Sequence, residues 1–148
     1  MGSNIAIRRA LATDADKVAD IFVAARARMT YLPVVHTEAE TRAFFRGLQN
    51  REEVWVAEVD GRVVGFAGIN EDWLDHLYVY PDAQSAGAGS ALLAKVKQQR
   101  PAGFQFWAFQ QNEGARRFYA RHGCVEVEWT DGEGNEERTP DVRLEWRP

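Results

Sequence analysis

Short segments in which apolar and polar residues alternate recur along the chain. Residues 4–10 alternate in this way, with Ile5 and Ile7 on one side, and this predicts a first β-strand. Six further segments have the length and apolar content of strands, and they cover residues 54–59, 62–68, 73–80, 104–109, 124–129 and 142–146. The Asp60-Gly61 pair predicts a tight hairpin between the second and third strands. The 104–109 segment is almost continuously apolar, as in strands buried on both faces.

Four other segments carry apolar residues at helical spacing. They cover residues 13–28, 37–48, 87–99 and 112–122. Thr13 with Asp16 three positions later is a signal for a helix start, and Thr37 with Glu40 is another. Gly123 follows the last helix at the position where a left-handed residue commonly ends one.

The predicted order is β-α-α-β-β-β-α-β-α-β-β, and no repeat or low-complexity linker interrupts it. Strands interspersed with helices in this order predict an α/β fold, in which helices cover both faces of a mixed sheet. The length of 148 residues is typical of one domain, which we expect to cover residues 4–148.

Composition narrows the classes of function. Basic residues number 18 and acidic residues 22, for a net charge of −4, which argues against a nucleic-acid partner. Cys124 is the single cysteine, so an internal disulfide and a cysteine zinc cluster are excluded, as suits a reducing cytoplasm. No apolar run approaches the ~20 residues that span a bilayer. We therefore expect a cytoplasmic protein without a membrane or nucleic-acid partner.

A loop of small residues joins the fourth strand to the third helix. Residues 84–90 read Gln-Ser-Ala-Gly-Ala-Gly-Ser, so phosphate oxygens can approach the backbone and the free N–H groups of the helix start. The loop is not a Walker motif, because no Lys follows its glycines, and Leu92 stands where a dinucleotide motif needs its third Gly. The alternative is that Gly87 and Gly89 only permit a tight turn and close packing.

A second motif follows the next strand. It comprises Asn112, Ala115, Phe118, Tyr119 and Gly123, which match the pattern Asn-x-x-Ala-x-x-Phe-Tyr-x-x-x-Gly-Phe in register. Residues 84–89 match the pattern Gln/Arg-x-x-Gly-x-Gly/Ala. With both motifs on the expected elements, the sequence resembles the GNAT superfamily of N-acetyltransferases over nearly its whole length.

The resemblance implies a mostly antiparallel sheet and acetyl-CoA as the acyl donor, with no metal. Backbone groups of Leu77 and Val79 would pair with the pantetheine arm, in an opening beside the 104–109 strand. Amides of the glycine loop would hold the pyrophosphate, and Asn112 would contact the pantetheine or nearby backbone. The full set of implied donor contacts is Leu77, Tyr78, Val79, Gln84, Ser85, Ala86, Gly87, Ala88, Gly89, Ser90, Asn112, Ala115 and Tyr119.

The chain departs from the family pattern at two positions. Ala86 stands where relatives often carry Arg or Lys, so the phosphates lose a cationic partner, for which Arg116, Arg117 or Lys95 could substitute. Cys124 stands where the later motif usually has Phe, and we expect it to be a buried core residue.

Tyr119 is the expected general acid. A phenol with a reference pKa of ~10 is protonated at neutral pH and can neutralise a departing thiolate of pKa ~8.5. The alternative is that Tyr119 only packs, as Phe118 does. For the general base we favour Asp75, which strand alternation places on one face with Leu77. His76 is an alternative base, and Glu71 and Asp72, which precede the strand, could reach the site through water. An α-amine acceptor with a pKa near ~8 needs no strong base.

The acceptor pocket is expected between the first two helices and the last strands. Its candidate residues are Tyr31 and His36 in the break between those helices, Glu71 before the fourth strand and Glu136 in the late loop. Carboxylates there favour a cationic acceptor, although each could equally be a solvated loop residue. The tryptophans in strands are expected in the core rather than in the pocket, and they are Trp55, Trp107, Trp129 and Trp146.

The sequence thus predicts an enzyme that transfers the acetyl group of acetyl-CoA to a primary amine of a small molecule or a protein by direct attack. The alternative is a binding module that retains the donor site and senses acyl-CoA with little or no catalysis. The acceptor cannot be read from the loops. Relatives often pair through sheet or helix surfaces, so the resemblance also leaves open a homodimer.

Overall fold

The structure, a computed structural model, describes residues 4–148 except for the side chain of Ser85. Seven strands are formed in this part of the chain: β1 (Ile5–Arg9), β2 (Glu53–Val59), β3 (Arg62–Asn70), β4 (Trp73–Val79), β5 (Phe104–Phe109), β6 (Val125–Trp129) and β7 (Asp141–Trp146). The α-helices are α1 (Ala15–Arg26), α2 (Glu38–Arg46), α3 (Ala88–Gln99) and α4 (Glu113–Arg121). The predicted order of strands and helices is confirmed. Of the helices described, none is both long and apolar enough to cross a membrane.

All seven strands form one sheet, in the order β1-β2-β3-β4-β5-β7-β6. Neighbouring strands are antiparallel everywhere except between β4 and β5, which run parallel. The hairpin between β2 and β3 is confirmed, because Asp60 and Gly61 both adopt positive φ, at 51° and 84°. The fold is therefore a mixed, mostly antiparallel α/β sheet.

Helices cover both faces of this sheet, as two consecutive residues of β3 show. The Phe66 ring faces Phe45 of α2, with ring centroids 6.0 Å apart. A Cβ at the preceding Gly65 would lie 3.2 Å from Leu92 of α3. Because consecutive strand residues point to opposite faces, α2 and α3 lie on opposite sides of the sheet. Phe66 and Leu92 are fully buried in the apolar core.

Local capping signals were predictive at one helix and not at another. At α2 the Thr37 hydroxyl accepts from the Glu40 amide at 3.1 Å, and the Glu40 carboxylate accepts from the Thr37 amide at 2.8 Å. At α1 the predicted Thr13 signal is wrong. A short 3-10 turn precedes this helix, and its buried Asp14 accepts from the Leu11 amide and from Arg8, both at 2.7 Å. The long-range ion pair with β1 therefore fixes the start of α1.

Burial in the second half of the sheet differs from the prediction. Trp107 of β5 is 43% exposed and Trp129 of β6 is 57% exposed, so β5 is buried on one face only. Helix α1 packs on β3 and β4, and α2 contacts them through Phe45, which leaves Trp107 of β5 exposed on the wall of the cavity described below. Trp55 and Trp146 are partly buried against the core, in line with the prediction.

Candidate active site

The parallel strands β4 and β5 separate to form an opening in the sheet. In the described chain they pair at a single position, Trp73 with Gln105. The Tyr80 amide donates to the Val64 carbonyl of β3 at 2.8 Å. Peptide groups alternate in direction along a strand, so those of Leu77 and Val79 point away from β3 and into the opening. This part of β4 thus presents backbone donors and acceptors to a ligand.

A cavity of about 790 Å³ occupies this opening. Its walls bring together many of the predicted site residues: Tyr31, Asp75, Leu77, Tyr78, Val79, Gln84, Gly89, Asn112, Ala115 and Tyr119. They come from β4, the glycine loop, α4 and the segment after α1, so residues distant in sequence converge on one cavity. Such a cavity, with a few polar groups on an apolar wall, is typical of a small-molecule site.

The remaining predicted residues lie elsewhere. Ala86, Gly87, Ala88 and Ser90 form the turn into α3 rather than the cavity wall, and the Ser85 side chain is outside the described part of the structure. Three predicted acceptor residues do not line the cavity, and they are His36, Glu71 and Glu136. His36 and Glu136 contact each other through the ring Nε2 and a carboxylate oxygen. The Glu71 carbonyl, in the turn before β4, accepts from Arg100 at 2.5 Å.

The turn into α3 has the geometry of an anion-binding backbone. Gly87 adopts φ +87° at the N-cap, a left-handed conformation that favours glycine. No described side chain caps this end of α3, so its first N–H groups are left for solvent or a ligand. The Ser90 hydroxyl contacts His122 Nε2 at 3.1 Å, which holds the first turn of α3 against the end of α4.

Of the three candidate cations for the phosphates, one reaches the cavity. Arg116 is held by the Glu126 carboxylate at 2.8 and 3.0 Å, and Lys95 lies over the Trp55 ring at 4.8 Å. Arg117 lines the cavity, and so does Arg121, which the sequence reasoning missed. Neither forms an ion pair within the described chain. Their i, i+4 spacing on α4 is a signal that could have identified both as one cationic edge.

Tyr119 is buried at the centre of the site. It is 8% exposed, and its ring packs on Phe106 with centroids 4.4 Å apart. Burial, and then the neighbouring Tyr78 and Cys124, raise its pKa above the usual value for a phenol, so the hydroxyl keeps its proton at neutral pH. Cys124 is buried, as predicted, and burial raises the pKa of its thiol to about 11.

Two further tyrosines extend from Tyr119 along the cavity. Burial raises the pKa of Tyr78 to about 12, and Tyr31 is close enough to add to this effect. The buried Tyr31 hydroxyl has no hydrogen-bond partner in the described structure, and its ring packs edge-on against Phe109 at 6.2 Å. A buried hydroxyl without a partner is costly, so the site offers a free hydrogen-bonding group at Tyr31.

Asp75 lies at a β-bulge, which corrects the alternation argument used to orient it. Gly68 of β3 pairs with His76 and Ile69 pairs with Leu74, so Asp75 is an extra residue without a partner in β3. Its carboxyl group lies within hydrogen-bonding reach of Glu52, whose Oε2 is 3.9 Å from His76 Nε2. Asp75 is thus beside His76, rather than on one face with Leu77 as predicted.

Glu52 is a residue of this region that sequence reasoning missed. A Cβ at Gly68 would overlap its Oε1, so the glycine in β3 makes room for the carboxyl group. Burial lowers the pKa of His76 to about 4, so the ring is neutral and the contact between His76 and Glu52 is not an ion pair. Gly68, one of two glycines within this buried strand, was the available signal.

Two long-range side-chain contacts join the loop between β6 and β7 to the region that follows α1. Arg26, at the end of α1, donates to the Glu137 carboxylate at 2.8 Å, and Glu137 belongs to the loop between β6 and β7. The contact between His36 and Glu136 joins the same two regions. These pairs fix the β6–β7 loop against the segment that carries Tyr31.

Comparison with known proteins identifies the family. The model of the GNAT acetyltransferase domain matches residues 50–126, which is more than half of the chain. These residues include β4, the glycine loop and all of α4. The chain therefore belongs to the GNAT acetyltransferase family.

Curated relatives carry the same description. The chain is 35% identical over 92 residues to the peptidyl-lysine N-acetyltransferase YiaC of Escherichia coli, covering 60% of each protein. It is 31% identical over 108 residues to an uncharacterized N-acetyltransferase of Methanocaldococcus jannaschii, covering 62% of the chain and 48% of that protein. The matched regions thus span about half to three fifths of the length of these two relatives.

Solved structures share the fold over nearly the whole chain. A GCN5-related N-acetyltransferase from Rhodopseudomonas palustris has a TM-score of 0.82 at 24% identity, covering 100% of this chain and 98% of that one. The acetyltransferase yncA from Salmonella typhimurium, solved with acetyl-CoA, has a TM-score of 0.75 at 20% identity, covering 98% and 94%. At these identities the likeness establishes the fold alone.

Proposed function

We propose that the chain transfers the acetyl group of acetyl-CoA to a primary amine. The observation that carries this proposal is the opening between β4 and β5, where unpaired peptide groups of Leu77 and Val79 meet a buried, protonated Tyr119. Family membership supports the same chemistry, and so does the acetyl-CoA held by the related yncA structure.

The residues of the opening fit the parts of acetyl-CoA. The pantetheine arm carries amides, which suit the free peptide groups of β4, and the diphosphate suits the uncapped N-terminus of α3. Arg117 and Arg121 on the cavity wall supply positive charge that Ala86 does not. The Asn112 side chain already accepts from the Ala115 amide at 3.2 Å, so its oxygen caps α4 and its N–H₂ group is left for the donor.

Proton transfer then has a defined direction. When bound, acetyl-CoA supplies a thioester whose carbonyl carbon bonds to the amine nitrogen while the carbon–sulfur bond breaks. Tyr119 is protonated at neutral pH, so it can donate its proton to the departing sulfur, and it regains a proton from solvent before the next cycle. Asp75, on the cavity wall, takes the proton released by the nitrogen. Tyr31 offers its free hydroxyl to orient the acceptor.

The acceptor is proposed to be a lysine-like or peptide amine. The E. coli relative is named as a peptidyl-lysine acetyltransferase, and Asp75 and Glu113 place acidic groups on the cavity wall. Carboxylates there attract a cationic acceptor before it loses its proton. Glu136 and Glu71 would contribute at longer range, since they lie outside the wall.

The test is release of free CoA from acetyl-CoA in the presence of an amine panel of lysine peptides, free amino acids and polyamines. Turnover with at least one amine, together with calorimetric binding of CoA, is the expected result. Binding without turnover by any amine would favour the acyl-CoA sensor instead. Absence of CoA binding would overturn both.

A further inference from the structure

Two carboxyl groups meet at the edge of the active-site cavity. Asp75 is exposed at the β-bulge on the wall, and Glu52 lies within hydrogen-bonding reach behind it, with its side chain only 9% exposed. Glu52 Oε1 has no hydrogen-bond partner in the described structure, and neither does His76 Nδ1 beside it. A buried carboxylate oxygen without a donor, next to a second carboxylate, is not a stable arrangement for two full negative charges.

The charges around the pair do not neutralise it. Arg51 is the nearest cation, but its guanidinium is directed to the Phe44 carbonyl at 2.7 Å and lies 4.3 Å from the centre of the Phe44 ring. His76 is neutral because of its burial. The face of α2 turned towards His76 is aromatic, through Phe44 and Phe45. A proton on Glu52 would supply the missing donor, with Asp75 as its acceptor.

We propose that Glu52 and Asp75 form a proton-sharing carboxyl pair, in which Asp75 takes the proton of the incoming ammonium group and Glu52 is the positioning residue that shares this proton with it. This inference rests on the proposed acetyl transfer. The resting pair holds one shared proton, and the form that has released this proton to solvent accepts one from the ammonium group, which becomes the neutral amine that attacks. The pair then carries one shared proton and one negative charge, and loses that proton to solvent before the next cycle.

The pKa of the carboxyl pair is closer to the pKa of an amine than the pKa of a lone carboxylate is. Burial first, and Asp75 second, raise the pKa of Glu52 to about 8. A lone carboxylate of pKa ~4 lies about 6 pKa units below a lysine-like amine of ~10.4, and the pair narrows that gap to about 2. Shared protons give pKa values that belong to the pair rather than to one residue.

The direct test is a titration of the side-chain carboxyl carbons by NMR, in protein labelled with ¹³C at Asp and Glu. In the free wild-type protein we expect one carboxyl resonance that titrates near pH 8. Glu52→Gln should abolish it, and Asp75→Asn should move it to lower pH because the neighbouring negative charge is gone. Glu128→Gln, on the far strand β6, is the matched control and should leave it unchanged. Titration of both groups below pH 5 in wild type would overturn the proposal.

A kinetic test separates a positioning role from a merely structural one. For a lysine peptide, Glu52→Gln should lower kcat/KM about tenfold at pH 7.5, because the amide can neither release a proton to solvent nor share one with Asp75. An α-amine of pKa ~8 should lose much less, and Glu52→Asp should restore part of the loss. Equal losses for both amines, with an unchanged pH profile, would contradict the proposal. Binding of CoA by the wild-type protein is measured separately by calorimetry. Absence of CoA binding would overturn the proposed function, whereas CoA binding with equal losses for both amines would overturn only the carboxyl pair.

Discussion

The two edges of β4 are built for different purposes. Towards β3 the strand is paired along its length, interrupted only by the bulge at Asp75. Towards β5 it is paired at Trp73 alone. Paired strands with a buried face stabilise the fold, whereas unpaired peptide groups at a cavity are left for a ligand. We therefore assign folding to one edge of β4 and, under the proposed function, ligand binding to the other, and substitutions on the two edges should affect different measurements.

The largest effect is expected on the closed edge. Phe66→Ala should lower the free energy of unfolding by about 3–5 kcal/mol, because it empties a fully buried site. The remaining folded protein should bind CoA as before. Chemical denaturation with parallel calorimetry measures both, and a loss of CoA affinity without a loss of stability would break the comparison.

On the open edge, Tyr119→Phe should act on the rate. It removes the proton that the departing sulfur needs, so kcat should fall about 10²- to 10³-fold, while the ring still packs on Phe106. The melting temperature and the CoA dissociation constant should change little. Steady-state kinetics beside a thermal melt gives the answer, and an unchanged kcat would remove Tyr119 from its role.

Gly87→Val tests the turn into α3, which should matter both for stability and for CoA binding. A side chain at φ +87° is strained whatever space it finds, so stability should fall by about 1–3 kcal/mol. The rearranged amides at the N-terminus of α3 should also weaken CoA binding about tenfold. Gly134→Val, at a loop glycine with open space around it, is the control. Unaltered CoA affinity in folded Gly87→Val would show that these amides do not hold the phosphates.

The smallest effect is expected from the cationic edge of α4. Arg117→Gln and Arg121→Gln should each weaken CoA binding about three- to tenfold, because each removes one charge facing the phosphates. The dependence of affinity on salt should weaken in parallel. Lys95→Gln, whose ammonium lies over Trp55, should bind CoA like wild type. Indistinguishable affinities for all three variants would assign no phosphate contact to α4.

Local signals predicted most of the fold, because they depend on few neighbouring residues. The Asp60-Gly61 hairpin, the Thr37 capping box and the helix end at Gly123, with φ +84°, follow from backbone preferences alone. The donor contacts, which the resemblance implied, stay a prediction, and those that line the cavity come from short contiguous segments in β4, the glycine loop and α4. Exposure of Trp107 was not predictable, because it depends on which strands α1 and α2 cover.

Parts of the site that depend on distant contacts escaped prediction. The bulge at Asp75 arises from a register shift against β3, and no sequence feature of β4 predicts it. Glu52 reaches Asp75 from before β2, across the sheet, and the space at Gly68 is the only trace of this in the sequence. His36 and Glu136 were assigned to the acceptor pocket from their loops, but they contact each other outside the cavity wall.

The single pair between β4 and β5, Trp73 with Gln105, also has a consequence for stability. The sheet consists of two groups of paired strands, β1 to β4 and β5 to β7. Under the proposed function, the amides of bound acetyl-CoA would occupy the opening between β4 and β5 and bridge the two groups as an added strand does. Binding would then raise the free energy of unfolding, by about 2.7 kcal/mol when the free ligand concentration is a hundred times the dissociation constant. Such a protein would be at its most heat-resistant while loaded with the compound that it consumes.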